Sequence, residues 1–357
     1  MNPIAFLAIA EAQQLYHWLP AALALARQGD VPVDVLSPSP AILRIVAKHD
    51  PGGTLRRVLL RRPGWRADSL FRMPSRFATL ALNYPLIRRY STIVTTETSS
   101  AILRRFPGFA AKLVEIKHGA GDRAGGYRSA HAAFDLILVA GEKDRERMIE
   151  RGLQSPDRIV VGGYAKFELM APPRRLFDND RPTILYNPHF DPRLSSWVRH
   201  GPAILAALEA LEGYNVMIAP HTKLACRVPT IHSDAPHIHV DMGSERSIDM
   251  SYTNGADIYL GDVSSQVYEF ILRPRPCLFL NLDRAAWQGD PDFAHFALGQ
   301  VLTSASDLSA ALEQAEIVQP RFESVQKAAM RFAINDGPAP ASRRQADAIR
   351  AVAARAG

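Results

Sequence analysis

The chain has 357 residues, 47% of them hydrophobic and 22% charged, with a formal net charge of +6. That length exceeds what a single hydrophobic core normally serves, so two domains are expected, and the composition excludes a disordered or fibrous chain. Its two cysteines, Cys226 and Cys277, have no metal-type neighbours at short spacing, which argues against a disulfide scaffold or a zinc cluster and fits a reducing cytoplasm.

Strands and helices alternate along the chain. The apolar opening, residues 4–10, lacks a basic leader and is too short for a signal peptide or membrane span, so it reads as a first strand. An amphipathic helix follows at about 15–27, a strand at 33–36 and a helix near 41–48. Further strands are expected near 93–95, 113–117, 136–140 and 159–161, with helical stretches between several of them. Short apolar runs separated by longer helical patterns predict an α/β protein with parallel sheets covered on both faces.

Residues 171–182 are rich in proline and charge and have no apolar periodicity, as a linker would. Beyond them the pattern restarts with a strand at 183–186, a helix at about 202–211 and a strand at 215–219. The tail from 307 onward reads as helical. The expected division is an N-terminal Rossmann-like domain at 1–165, a linker at 166–182, a nucleotide-binding domain at 183–335, and a helix at 336–357 that packs back on the first domain.

Residues 257–281 are the most informative stretch. A strand at 258–261 leads through a hydroxyl-rich turn at 262–265 into a helix at 266–272 and then a strand at 277–280. Such a turn presents unpaired N–H groups beside a positive dipole end, and Ser264 and Ser265 add hydroxyl donors, which suits a phosphate. Glu269, just over one turn into the helix, is placed to accept hydrogen bonds from a ribose. The plainer alternative is an ordinary serine cap on a core βα unit.

Ligands of open parallel sheets gather beyond the carboxyl ends of strands. Four polar clusters are predicted there: His118 to Arg123; Asn187, His189 and Asp191; His221 and Lys223; and Asp262 with the two serines. One from the first block and three from the second suggest a cleft between two domains with a phosphate-binding floor. His232, His237 and His239 lack a spaced cysteine or a third ligand, so no metal is expected. No cofactor is expected either.

Charge is uneven. Residues 54–128 carry thirteen Arg and two Lys against four carboxylates, a local excess of +11 that leaves the remainder acidic. Its densest part interleaves Arg56, Arg57, Arg61 and Arg62 with aliphatic residues and Trp65, a mixture suited to an anionic membrane surface. A solvated basic loop is the alternative. RNA would be attracted too, but no recognised nucleic-acid module accompanies the patch, so no nucleic-acid partner is expected.

The order HGAGDR, YNPHFD, APHT and DVSS, the last followed by a helix and a proline-containing strand, resembles the CDP-glycerol glycerophosphotransferases, which include teichoic-acid polymerases and primases. The likeness runs from about 117 to 281 and is faint over the first hundred residues. The family usually has HGTPLK, a YAPTWRD-like stretch, an RxHP-like turn and DYSS at these places. The resemblance implies GT-B architecture: two Rossmann-like domains facing across a cleft. It implies a transferase moving a phosphoalcohol, glycerol phosphate from CDP-glycerol, to a hydroxyl of a lipid-linked or glycan acceptor.

On the same basis His118 is the expected base and His221 a diphosphate ligand, with Arg123 and Lys223 adding charge, His189 and Asp191 joining them, and Asn187 and Asp262 at the neighbouring strand ends. The expected location is cytoplasmic and peripheral at the inner face of the cell membrane. Two enzymes of the same fold remain open as readings, a nucleotide-sugar glycosyltransferase and a relative of UDP-N-acetylglucosamine 2-epimerase. So does a nonenzymatic basic protein that binds membrane or nucleic acid.

Overall fold

The structure, a computed structural model, describes residues 3–64, 72–173, 176–335 and 337–355. Trp65 lies outside the described residues. The chain forms two compact units, one made of Met1–Ala120, Tyr127–Leu169 and Arg331–Gly357, the other of Gly121–Gly126 and Met170–Met330. Each is a Rossmann-like α/β layer structure.

The first unit is built on seven strands, β1 (Ile4–Leu7), β2 (Val33–Ser37), β3 (Arg56–Leu59), β4 (Thr92–Thr95), β5 (Lys112–Ile116), β6 (Leu136–Val139) and β7 (Ile159–Val161). They pair in parallel in the order β3-β2-β1-β4-β5-β6-β7. Ile4 stands opposite Val33 on one side and Thr92 on the other. With both faces covered, β1 has no polar position, which is why its sequence is a continuous apolar run. The strand order reverses between β1 and β4, and their carboxyl ends open a crevice for polar groups.

Local signals set the helix ends. In α1 (Leu15–Gln28) the chain stops at Gly29, whose φ of 78° is a left-handed cap that glycine takes without steric cost. The Ser39 side chain caps α2 (Pro40–His49) by accepting the Ile42 N–H, with Pro40 in the first turn. Ser75 does the same for α3 (Arg76–Ile87), and α4 (Glu142–Glu150) carries Glu142 and Asp144 in its first turn.

The basic segment holds one departure from the sequence reading. Residues 56–59 form the edge strand β3, where only one sheet neighbour and half a face need covering, so the arginines are tolerated. Arg56 donates from Nε to the buried Asp34 at 2.9 Å, and Tyr90 donates its hydroxyl to the same carboxylate. Arg56 therefore pairs with a buried carboxylate while its own side chain stays 68% exposed.

The second unit has six parallel strands, β8 (Thr183–Asn187), β9 (Asn215–Ile218), β10 (Ile238–Val240), β11 (Ile258–Gly261), β12 (Cys277–Leu280) and β13 (Gln300–Leu302), ordered β10-β9-β8-β11-β12-β13. The reversal falls between β8 and β11. Its helices are α5 (Ser196–Glu209), α6 (Thr222–Ala225), α7 (Ser251–Gly255), α8 (Gln266–Phe270) and α9 (Leu308–Val318). Tyr186, Ile204, Leu208, Ile218, Leu260 and Leu278 share one buried cluster that fixes α5 on the sheet.

Two helices close the chain, α10 (Pro320–Ala333) and α11 (Ala341–Ala354). Within the first unit α11 is tied to α1 by Gln28 Nε2, which donates to Asp347 at 2.9 Å, and Gln345 donates to the Gly163 carbonyl. No helix among the described residues is long and apolar enough to cross a membrane.

Candidate functional site

In the second unit the switch point between β8 and β11 is wired by buried side chains. Asn187, at the end of β8, donates to the Ala219 carbonyl at 2.6 Å and accepts the Ser264 hydroxyl at 2.8 Å, so one amide ties together the ends of β8, β9 and the β11 turn. Asp262 is 1% exposed. One of its oxygens accepts the His189 N–H, and the other accepts both the N–H and the hydroxyl of Ser196. Burial lifts the Asp262 carboxyl to about 6 despite these donors. Sequence reasoning put Asn187, Asp262 and Ser264 against a ligand; the hydrogen bonds show them holding the corner in shape.

The remaining groups there are differently disposed. The Ser265 hydroxyl and the N–H groups of Ser264 and Ser265 make no hydrogen bond among the described residues, and Ser265 is exposed. The helix that follows, α8, has only five residues and ends two residues earlier than the spacing predicted. Its dipole is correspondingly small, so any affinity for an anion here rests on the turn's own donors. Glu269 lies on α8 but is buried, only 5% exposed.

Segment 121–126 belongs to this same unit and brings Arg123 to the corner. A β-carbon on Gly121 would stand 2.9 Å from the Ser265 β-carbon, so only glycine allows the approach. Arg123 reaches Asp191 at 3.2 Å and His189 Nε2 at 3.1 Å. His189 Nδ1 already accepts the Asp191 N–H at 3.1 Å, which leaves the hydrogen of the neutral ring on Nε2, facing the guanidinium. Burial, followed by the Arg123 charge, holds the His189 imidazole down at about 3. Asp191 is pushed well below the usual carboxylate range, chiefly by hydrogen bonds from Arg193.

His221 starts α6 and accepts the Lys223 N–H on Nδ1 at 3.1 Å, so its Nε2 carries the hydrogen and is a donor. Its ring lies 6.0 Å from that of His189 and 4.7 Å from Phe190, while Lys223 sits over Phe190 at 5.2 Å. Arg123, His189, His221, Lys223, Ser264 and Ser265 therefore collect at the carboxyl edge of one sheet. A cavity of about 200 Å³ occurs at the opposite, amino edge, lined by Asn179, Thr183, Asn215 and Asp257 among others. The chemistry-bearing side chains are not there.

His118 belongs to the first unit. Its Nδ1 lies 3.0 Å from the Thr96 carbonyl, an acceptor only, so the hydrogen is on Nδ1 and the lone pair on Nε2. Sequence reasoning missed its neighbours. His17 is buried, with its ring 6.2 Å from that of His118 and 5.1 Å from that of Tyr164. Burial, then the charge of Lys166, holds the His17 imidazole well below its ordinary value. Thr96 and Gln14 share a hydrogen bond, Gln14 donates to Glu97, and Arg76 bridges Glu11 at 2.9 Å and Glu97 at 2.6 Å. Nothing in local sequence links residues so far apart; the β1/β4 reversal does.

Arg57 lies on the edge strand β3, and Arg61 and Arg62 follow it. His237 spends Nε2 on the Leu208 carbonyl, and no group of three or more metal-type ligands forms among the described residues.

No protein-family model matches the sequence, and no curated protein does. Among solved structures the chain is similar to the wall teichoic acid polymerase TagF, with a TM-score of 0.67 and 14% identity over 99% of this chain and 89% of that one. The fold is that of the GT-B enzymes. The GT-B likeness extends to MnaA of S. aureus, solved with UDP, at a TM-score of 0.67 and 12% identity over 98% and 96% of the two chains. It also covers the UDP-GlcNAc 2-epimerase of Neisseria meningitidis, bound to UDP-GlcNAc, at 0.66 and 12% over 99% of each chain. These neighbours thus include a teichoic acid polymerase as well as proteins solved with UDP and with UDP-GlcNAc.

Proposed function

We propose that the protein is a transferase that takes a phosphoalcohol, glycerol phosphate from CDP-glycerol, to an acceptor hydroxyl. The observation that carries this reading is the hydrogen-bonded tautomer of His118, which leaves Nε2 as a proton acceptor at a strand end of the first unit. In the reaction Nε2 takes the proton of the acceptor hydroxyl as that oxygen bonds to the phosphorus, the anhydride bond breaks, and cytidine monophosphate leaves with the electron pair.

The second unit would bind the donor. Ser265 and the N–H groups of the 264–265 turn donate to the diphosphate. An anionic oxygen set between Arg123 and His189 Nε2–H accepts from both and removes their donor-to-donor conflict. His221 Nε2–H and Lys223 neutralise the charge that grows on the leaving phosphate. The membrane part of the reading rests on Arg57, Arg61 and Arg62 with the exposed Leu59, 53% accessible, on the same edge.

A second reading is favoured by one observation: two of the GT-B neighbours were solved with UDP or a UDP-sugar. Thermal-shift titration with CDP-glycerol, UDP-N-acetylglucosamine and UDP-glucose separates the two. The proposal expects stabilisation by CDP-glycerol and formation of a glycerol-phosphate product; stabilisation by UDP-sugars alone replaces it with nucleotide-sugar chemistry.

A further inference from the structure

The first unit holds a second histidine that the proposed reaction leaves unused. His17 lies in the first turn of α1, whose Leu15, Trp18 and Leu19 are buried, and the Trp18 ring stacks on Phe6 of β1 at 5.4 Å. Close packing on that side fixes the roll of the helix and with it the place of the imidazole. His17 is 8% exposed, yet neither of its ring nitrogens makes a hydrogen bond among the described residues, and neither is sealed off from solvent. Buried polar groups are normally paired, so one that is held in place, unpaired and still reachable is suited to a ligand.

Its neighbour is the candidate base. The rings of His17 and His118 are 6.2 Å apart with 60° between their planes, in the segments that follow β1 and β5 of one sheet. An oxygen at ordinary hydrogen-bond distance from a nitrogen of each ring stands roughly 4 Å from each centroid, and the separation of the rings then opens an angle of about 100° at that oxygen. This is close to the angle between an O–H bond and a lone pair. A hydroxyl placed there gives its hydrogen to His118 Nε2 and keeps two lone pairs; an N–H from His17 occupies one and leaves the other for attack on phosphorus. The ionisable groups around His17 are His118, Lys117 beside it, and Tyr164 and Lys166 from the segment after β7. Burial and the Lys166 charge keep the ring uncharged near neutral pH, so it can donate without setting a second cation against the proton that His118 takes up.

Building on the reading of His118 as the base, we propose that His17 is a further catalytic residue of the acceptor site: its ring N–H donates to the acceptor oxygen that His118 deprotonates and orients that oxygen for attack. His17 keeps its own hydrogen throughout. The acceptor proton goes to His118 Nε2, and the electron pair of the broken anhydride leaves with cytidine monophosphate.

The probe is CDP-glycerol with water as the acceptor, followed by release of cytidine monophosphate, and then with glycerol added. His17→Phe keeps a ring in the same space but has no N–H, and at saturating CDP-glycerol its rate should fall about 10- to 100-fold with the KM for CDP-glycerol and the melting temperature unchanged. His17→Ala, which adds no bulk, should show the same loss. His17→Gln restores an N–H donor and should recover most of the rate lost in His17→Phe. Wild-type rates in His17→Phe and His17→Ala, with His118→Ala inactive, overturn this inference alone. A loss in His17→Gln as deep as in His17→Phe assigns His17 to packing and overturns it as well. Activity that survives in His118→Ala removes the base reading and this inference together, and so does a wild type that turns over no CDP-glycerol.

Discussion

His118 Nδ1 stands 3.0 Å from the Thr96 carbonyl oxygen, and in the neutral ring that contact places the hydrogen on Nδ1. A general base contributes about 10²- to 10⁴-fold to rate. Replacement of His118 by Ala is expected to lower kcat by that range while leaving CDP-glycerol affinity within about threefold. Single-turnover kinetics together with calorimetry make the comparison; full activity in the variant places the base elsewhere.

The two serines of the turn should separate cleanly. Ser264 donates to buried Asn187, so Ser264→Ala leaves that acceptor short of a partner and should cost about 1–2 kcal/mol of stability. Ser265 has no such bond, and Ser265→Ala should leave the melting temperature unchanged while weakening nucleotide binding several-fold. Paired unfolding and binding measurements check both halves. Equal effects on stability from the two variants would contradict the division between scaffold and ligand contact.

The corner also predicts an acid-side response of defined sign. His189 has its proton affinity depressed in the folded state, to about 3 against an ordinary 6.5, so its contribution to stability is complete above about 6.5 and drains away as pH falls toward 3. Asp262 works oppositely. Its carboxyl is raised to about 6, so the stability it adds is present below about 4 and is lost as pH rises through 6. His189→Gln should therefore flatten the loss of stability on acidification, and Asp262→Asn should remove the decline between about pH 4 and 6. Urea midpoints across this range are the measurement.

Arg56 and its basic neighbours make a further contrast. Removing the Arg56 guanidinium leaves the buried Asp34 carboxylate with the Tyr90 hydroxyl as its donor, and because Arg56 itself is well exposed the cost should be discounted to about 2 kcal/mol. Replacing Arg57, Arg61 and Arg62 by Gln should leave stability nearly unchanged but reduce pelleting with phosphatidylserine vesicles. Unchanged pelleting in that triple variant disposes of the membrane surface.

The strands that were legible in sequence were those buried on both faces, such as β1 and β11, where a continuous apolar run has one structural meaning. Strand β3 was hidden because an edge strand tolerates arginine, and α5 was misplaced because Pro202 looked like a helix start when Ser195, capping Val198, is the true one. Of the site, the strand-end positions were readable and the division of labour was not. Whether Ser264 or Ser265 is spent internally depends on Asn187, 77 residues away. The His17–His118 pair joins the first turn of α1 to the segment after β5 and leaves no periodic trace.

Gly121 offers the sharpest test that segment 121–126 shapes the phosphate turn. Its backbone φ is not left-handed, so alanine there meets no conformational penalty, only the 2.9 Å approach to the Ser265 β-carbon. Because that atom is fixed to the backbone, the turn itself must shift by several tenths of an ångström, an overpacking that typically costs about 1–3 kcal/mol. The Ser264 and Ser265 N–H groups would then leave the directions in which they meet an anion. Gly121→Ala is accordingly expected to weaken CDP binding by about tenfold or more, beyond the several-fold loss from Ser265→Ala, while His118 and the first unit keep their native hydrogen-exchange protection. Wild-type affinity in Gly121→Ala would mean that the diphosphate is held somewhere other than this turn.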